Sequence, residues 1–154
     1  MKPDEIIGYV DGLDGVLTVR PGPGDDSPEL AWGDTFFFYA PDGVMPVNTQ
    51  PFATIVTKNY PGDEESRLDR ADTFRVNVNA GKDNFREWTG HTHRETPAED
   101  VDHSAADTLF AHPVYGSAGW LAVVNPGPRT EAPTRELLRT AYELAKARYQ
   151  RRAG

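Results

Sequence analysis

The chain has 154 residues, 38% of them hydrophobic, with 7 Phe, 6 Tyr and 3 Trp to fill a core and no Cys. That length suits a single domain spanning residues 1–154, and the missing cysteines exclude disulfides, thiolate nucleophiles, iron–sulfur clusters and cysteine-ligated zinc. The net charge of −8, from 16 basic and 24 acidic side chains, works against polyanionic partners such as nucleic acid or anionic lipid.

Asp4 and Glu5 precede the first apolar residues, which is the wrong charge order for a secretory signal, and every apolar run is too short to span a bilayer. A reducing, cytoplasmic setting without a membrane partner is expected. Pro3, Asp4 and Glu5 favour a helix start, and Ile6, Val10 and Leu13 follow at helical spacing, so a short helix is predicted over about 3–12. Val16–Arg20 reads as a short strand, and the Pro- and Gly-rich stretch 21–28 as a surface loop. Thr35–Tyr39 is apolar on both faces, as a central strand is. After the turn residues 40–43, Pro51 leads into a strand over Phe52–Lys58, expected to pair antiparallel with it across a longish loop.

Residues 59–72 are polar and acidic and read as a solvated loop with room for one helical turn. Thr73–Asn79 alternates: Phe74, Val76 and Val78 face one way, Thr73, Arg75, Asn77 and Asn79 the other. Helical spacing of Phe85 and Trp88, bracketed by Gly81 and Gly90, predicts a helix over 82–88. Residues 91–104 look like loop, 105–110 like one helical turn, and 120–124 like the last strand. A terminal helix is predicted over about 134–149, its apolar stripe made by the Leu137/Ala141/Leu144/Arg148 and Leu138/Tyr142/Ala145/Tyr149 rows. The expected fold is α+β: a mostly antiparallel sheet with an N-terminal helix, a short middle helix and a long C-terminal helix on one face. Phe36, Phe38, Phe74, Val76, Trp120, Val123, Leu138 and Tyr142 are expected to share its core.

The strings Trp32-Gly33-Asp34-Thr35-Phe36-Phe37-Phe38-Tyr39, Pro51 through Lys58, Phe74-Arg75-Val76-Asn77, and His112-Pro113-Val114-Tyr115 with Gly119-Trp120 resemble an actinobacterial domain-of-unknown-function family. The likeness covers nearly the whole chain and implies no activity. More distantly, the first helix with its Gly-containing turn, Phe52-Ala53, Gly119-Trp120 and Ala141-Tyr142 resemble MmcQ/YjbR-like domains. That likeness implies an antiparallel sheet with flanking helices and a DNA-binding label.

Several chemistries can be weighed directly. His91, His93, Glu95, Asp100, Asp102, His103, Asp107 and His112 offer metal-ligand types, but the helical zinc-protease spacing is absent and a solvated loop is the preferred reading; no metal or cofactor is expected. Pro21-Gly22-Pro23-Gly24 is no phosphate loop, Ser66, Ser104 and Ser117 lack a nucleophile elbow, and the acidic run 63–72 lacks calcium-loop spacing. The polar face of the 73–79 strand is the best candidate. There Arg75 and Asn77, beside either Thr54, Val56 and Lys58 or Ala53, Ile55 and Thr57, would suit a carboxylate- or phosphate-bearing ligand, and His112 and Tyr115 would close the face or shape a turn. The plainer alternative pairs Arg75 with Asp34 or another strand acid.

The leading expectation is a non-catalytic binding or interaction module whose partner is a small molecule or protein. The second is an enzyme using Arg75, Asn77, Lys58 and His112 in an acid–base or anion-holding site. The third is nucleic-acid binding through the C-terminal segment 129–154, which holds seven basic side chains against three acidic ones, against the charge of the whole.

Overall fold

The computed structural model describes residues 1–97 and 100–153. Among them the chain forms α1 (Pro3–Asp11), β1 (Val16–Val19), β2 (Thr35–Tyr39), β3 (Ala53–Val56), β4 (Arg75–Val78), α2 (Lys82–Thr89), β5 (Leu109–Ala111), β6 (Leu121–Val124) and α3 (Glu131–Ala153). The six strands make one antiparallel sheet in the order β1-β2-β3-β4-β6-β5. The first four form a meander. The chain then leaves through α2 and returns with β6 beside β4, so β5 lies at the edge. This is the α+β arrangement expected from the sequence.

Strand register decides which residues share a face, because side chains alternate along each strand. Phe36 pairs with Thr54, Thr54 with Asn77 and Asn77 with Ala122, forming one row across the sheet. The alternate row runs through Ile55, Val76 and Val123, and it is this face that the helices cover. Ile6 and Val10 of α1, Phe85 of α2, and Leu137, Leu138, Ala141 and Tyr142 of α3 complete one buried cluster with it. Gly15, at φ +84°, turns the chain from α1 into β1 against the Tyr39 ring; a Cβ there would stand 2.7 Å from that ring.

Four expectations need correction. Phe37, not Phe36 and Phe38, is the β2 side chain in the helix-side core, since the alternation places those two with Thr54 on the opposite face. Phe36 is only half-buried, and Trp120, though buried, also belongs to that second face. Residues 105–110 form no helical turn: β5 pairs with β6, and the Asp107 N–H donates to the Val124 carbonyl at 2.8 Å. Residues 59–72 are not merely solvated, because Ser66 and Leu68 are buried as the loop folds over the second face. Trp88 does not share the burial of Phe85; it is exposed.

α3 also begins earlier than the apolar rows suggest. Pro133 is tolerated in its first turn, where the missing N–H would have no helical acceptor. Asp107 supplies acceptors to the loop that leads in, receiving N–H bonds from Gly127, Arg129 and Thr130 at 2.9–3.0 Å and the Thr130 hydroxyl at 2.6 Å. Burial raises the Asp107 carboxyl pKa, but the bonds from Thr130, Arg129 and Gly127 outweigh it and hold it down to about 2. Asp107→Ala is therefore expected to destabilise the fold by about 1–2 kcal/mol, the usual cost of a lost cap. In denaturant titrations the difference from the parent should be full above the ordinary carboxylate pKa. It should shrink as the pH falls from about 4 toward 2, where the parent loses the same contribution.

Candidate functional site

The second face of the sheet divides into two parts. At one end Val56, Ala122 and Val124 pack with Phe110 and with Leu68 of the covering loop, a small apolar cluster separate from the main core. Beside it opens a cavity of about 410 Å³. Thr54, Arg75 and Asn77 form its floor, and Asp63 and His112 stand against Arg75. Phe36, Trp120, Tyr115, Tyr60, Val114 and Pro51 supply mostly aromatic and apolar walls.

Arg75 is 1% exposed, and the polar groups around it satisfy most of its donors. Its Nε donates to Asn77 Oδ1 at 2.8 Å, two residues along the same strand face. Its Nη1 donates to Asp63 Oδ1 at 2.9 Å and to Ser66 Oγ at 3.1 Å. Its Nη2 donates to Asp63 Oδ2 at 2.5 Å, closing a two-pronged ion pair. Asn77 Nδ2 in turn donates to Thr54 Oγ1 at 3.0 Å on the neighbouring strand. Burial raises the Asp63 carboxyl pKa, but the hydrogen bonds and charge of Arg75 more than offset this and hold it below its ordinary value.

His112 sits between β5 and β6, its backbone N–H donating to the Trp120 carbonyl at 2.9 Å. Pro113 follows it and cannot continue a strand ladder, so the chain turns, and the Val114 and Tyr115 N–H groups both donate to His112 Nδ1 at 3.0 Å. Nδ1 is thus an acceptor, and in the neutral ring the proton belongs on Nε2. Nε2 lies 3.0 Å from Arg75 Nη2 and 3.8 Å from Asp63 Oδ2. Burial, together with the Arg75 charge, pushes the His112 pKa down to about 3 despite the opposing Asp63 carboxylate. The imidazole is neutral throughout the physiological range. Tyr115 leans against it with ring centroids 5.0 Å apart.

A second polar knot lies to one side. Asp34 is 1% exposed and accepts from the Thr57 N–H and hydroxyl at 2.8 Å, from the Tyr60 hydroxyl, and from Lys58 Nζ at 3.0 Å. Lys58 also donates to the Trp32 carbonyl at 2.6 Å. Burial, reinforced by Asp34, pushes the Tyr60 phenol pKa up, so it stays protonated.

Of the five residues singled out from the sequence, Arg75, Asn77, His112 and Tyr115 line this one cavity, whereas Lys58 is turned to Asp34 outside its lining. Arg75 is indeed paired with an acid, but the acid is Asp63 rather than Asp34. Asp63, Ser66, Phe36 and Tyr60 join the site without a sequence signal that assigns them to this face. Nothing in the acidic run 63–72 distinguishes Asp63 from its neighbours, and Phe36 was assigned to the opposite face. The histidines weighed as metal ligands are dispersed: His91 and His93 meet the Phe85 ring edge-on, and His103 meets Phe110. Among the described residues no three His, Asp or Glu side chains cluster as metal ligands do.

The fold and this face together define an α+β antiparallel-sheet domain with a buried Arg–Asp–His cluster under a cavity of small-molecule size. The chain belongs to the family of unknown function DUF6194, whose model matches residues 1–154. No curated protein and no solved structure matches it.

Because His112 titrates near 6.5 when unfolded and at about 3 when folded, unfolding takes up a proton between those values. Stability should therefore fall as the pH is lowered through this window, with a slope approaching about 1.4 kcal/mol per pH unit. His112→Asn places an amide oxygen close to where Nδ1 accepts its two N–H bonds and removes the titrating ring. Denaturant unfolding between about pH 4 and 6.5 should show a flatter dependence for this variant; an unchanged slope would mean that His112 is not held neutral.

Proposed function

We propose that this protein is a small-molecule binding module whose ligand occupies the cavity on the second face of the sheet. The observation that carries the reading is the cavity itself. Its volume of about 410 Å³ falls in the range of small-molecule sites, and a few convergent polar groups lie beneath mainly apolar walls. Its floor is buried and held by hydrogen bonds along β4 and from β4 to β3, which is the preorganisation a binding site needs.

The electrostatics favour binding over acid–base catalysis. A general acid or base works best with a pKa near the working pH, yet His112 is held down at about 3 and Asp63 below the ordinary carboxylate value. Tyr60 is moved further from neutrality still. None of these three groups is tuned to exchange protons near pH 7, and the enzyme reading is the second choice. Nucleic-acid binding, implied by the MmcQ/YjbR-like resemblance, is third. Two α3 arginines are engaged in ion pairs four residues apart, Arg135 with Glu131 at 3.5 Å and Arg139 with Glu143 at 3.1 Å. Among the described residues no helix is long and apolar enough to cross a membrane, and a chain without cysteine fits a reducing, cytoplasmic setting.

A fragment set screened by two-dimensional amide NMR should yield compounds that shift the signals of Thr54, Asn77 and Trp120 together. Val114→Trp, at a half-exposed wall position, should abolish those shifts while leaving the melting temperature nearly unchanged. A set that shifts no cavity residue overturns the proposal. Polarisation titration with duplex DNA at about 0.15 M salt should show no sub-micromolar binding; such binding, lost on changing Arg135 and Arg139 to Ala, would move the nucleic-acid reading to first place.

A further inference from the structure

Counting donors on the cavity floor carries the reading one step further, to the chemical class of the ligand. Four of the five Arg75 N–H groups have acceptors: Asn77 Oδ1, the two Asp63 oxygens and Ser66 Oγ. The fifth, on Nη2, faces His112 Nε2 at 3.0 Å. Nδ1 of that ring already receives two backbone N–H groups, so Nε2 carries the proton. Two N–H donors therefore confront each other. The other neutral tautomer lets Nε2 accept from Arg75 but turns an Nδ1–H onto the Val114 and Tyr115 N–H groups, and protonating the ring adds another donor. Asp63 Oδ2 is 3.8 Å from Nε2, beyond hydrogen-bond reach. Both residues are more than nine-tenths buried, with Arg75 at 1% and His112 at 4% exposure, and both line the cavity, so an acceptor for them has to come from that side. Thr54, also nine-tenths buried at 8% exposure, accepts from Asn77 Nδ2 and has its own hydroxyl hydrogen to offer.

A site crowded with donors calls for an acceptor, and its charges decide which kind. The Arg75 guanidinium is matched by Asp63, the Lys58 ammonium by Asp34, and His112 is neutral. An anion entering the cavity would find no uncompensated cation among the described residues and would approach the Asp63 carboxylate. An uncharged carbonyl oxygen accepts the same two hydrogen bonds without that repulsion.

Resting on the small-molecule reading above, we propose that the cavity selects an uncharged, flat compound bearing a carbonyl-type oxygen. That oxygen accepts from Arg75 Nη2 and His112 Nε2, and the flat body lies among Phe36, Trp120 and Tyr115. The amide, lactam and ring-carbonyl groups of small heterocycles belong to this class. Carboxylates and phosphates, which Arg75 and Lys58 suggested in the sequence, do not.

Matched probes test this: benzamide, benzoate, phenyl phosphate and toluene, titrated separately into the whole protein at pH 7 and followed by amide NMR. Benzamide is expected to bind at least about tenfold more tightly than benzoate or phenyl phosphate, and more tightly than toluene. His112→Asn should weaken benzamide about tenfold while leaving toluene unchanged, a difference that a general loss of structure would not produce. Tighter binding of either anion, or toluene binding as well as benzamide, overturns the carbonyl inference and leaves the small-molecule reading standing. Silence from all four probes also overturns it, whereas the small-molecule reading falls only if the broader fragment set is silent too.

Discussion

A guanidinium buried in the middle of a β-sheet is the constraint around which the second face is organised. Arg75 stands on β4 between β3 and β6 and is 1% exposed. A buried cation without a partner would be prohibitive, and the acid that answers it comes from the 59–72 loop. That loop is thereby drawn down over the sheet, bringing Ser66 against the guanidinium and Leu68 onto Val56, Phe110, Ala122 and Val124. A segment whose composition suits open solvent thus becomes a roof over half of one face, and the cavity is the part of that face left uncovered.

The other face follows a simpler rule. Three helices cover a continuous apolar row, and nearly every buried side chain there is aliphatic or aromatic. The contrast between the faces is a division of labour within one sheet. One side supplies the stability, and the other holds a hydrogen-bonded polar network that is costly to bury and is tied for the most part by Asn77, Thr54 and Asp63. His112 joins this network from the β5–β6 connection, where its ring nitrogen serves as the acceptor for the turn that Pro113 enforces.

The sequence displays the period-2 alternation of 73–79 plainly, and with it the placement of Arg75 and Asn77 on a face of their own. It displays the helical rows of 137–149 equally well. Where a segment has no single period, reading fails: Thr35–Tyr39 is apolar throughout, so nothing local says whether Phe36 or Phe37 turns to the helices, and only the pairing with Thr54 and Ala53 decides. The three-residue β5 is too short to show any alternation, and its pairing with β6 is a long-range fact. Asp63 is one carboxylate among several in its loop, chosen by the reach of Arg75 across 12 positions of sequence. Lys58 looked available beside Arg75, but the strand pairing carries it to Asp34 instead.

The internal matching of charge around Arg75 has a consequence at a distance. A pair that cancels within a few ångströms projects almost no field, so what a solute senses from outside is the surplus of acidic groups elsewhere on a molecule of net charge −8. Dissolved anions approaching a molecule of this net charge meet a repulsion that extends about 8 Å at physiological ionic strength. Neutral solutes arrive by diffusion alone, and their occupancy should be almost indifferent to added salt.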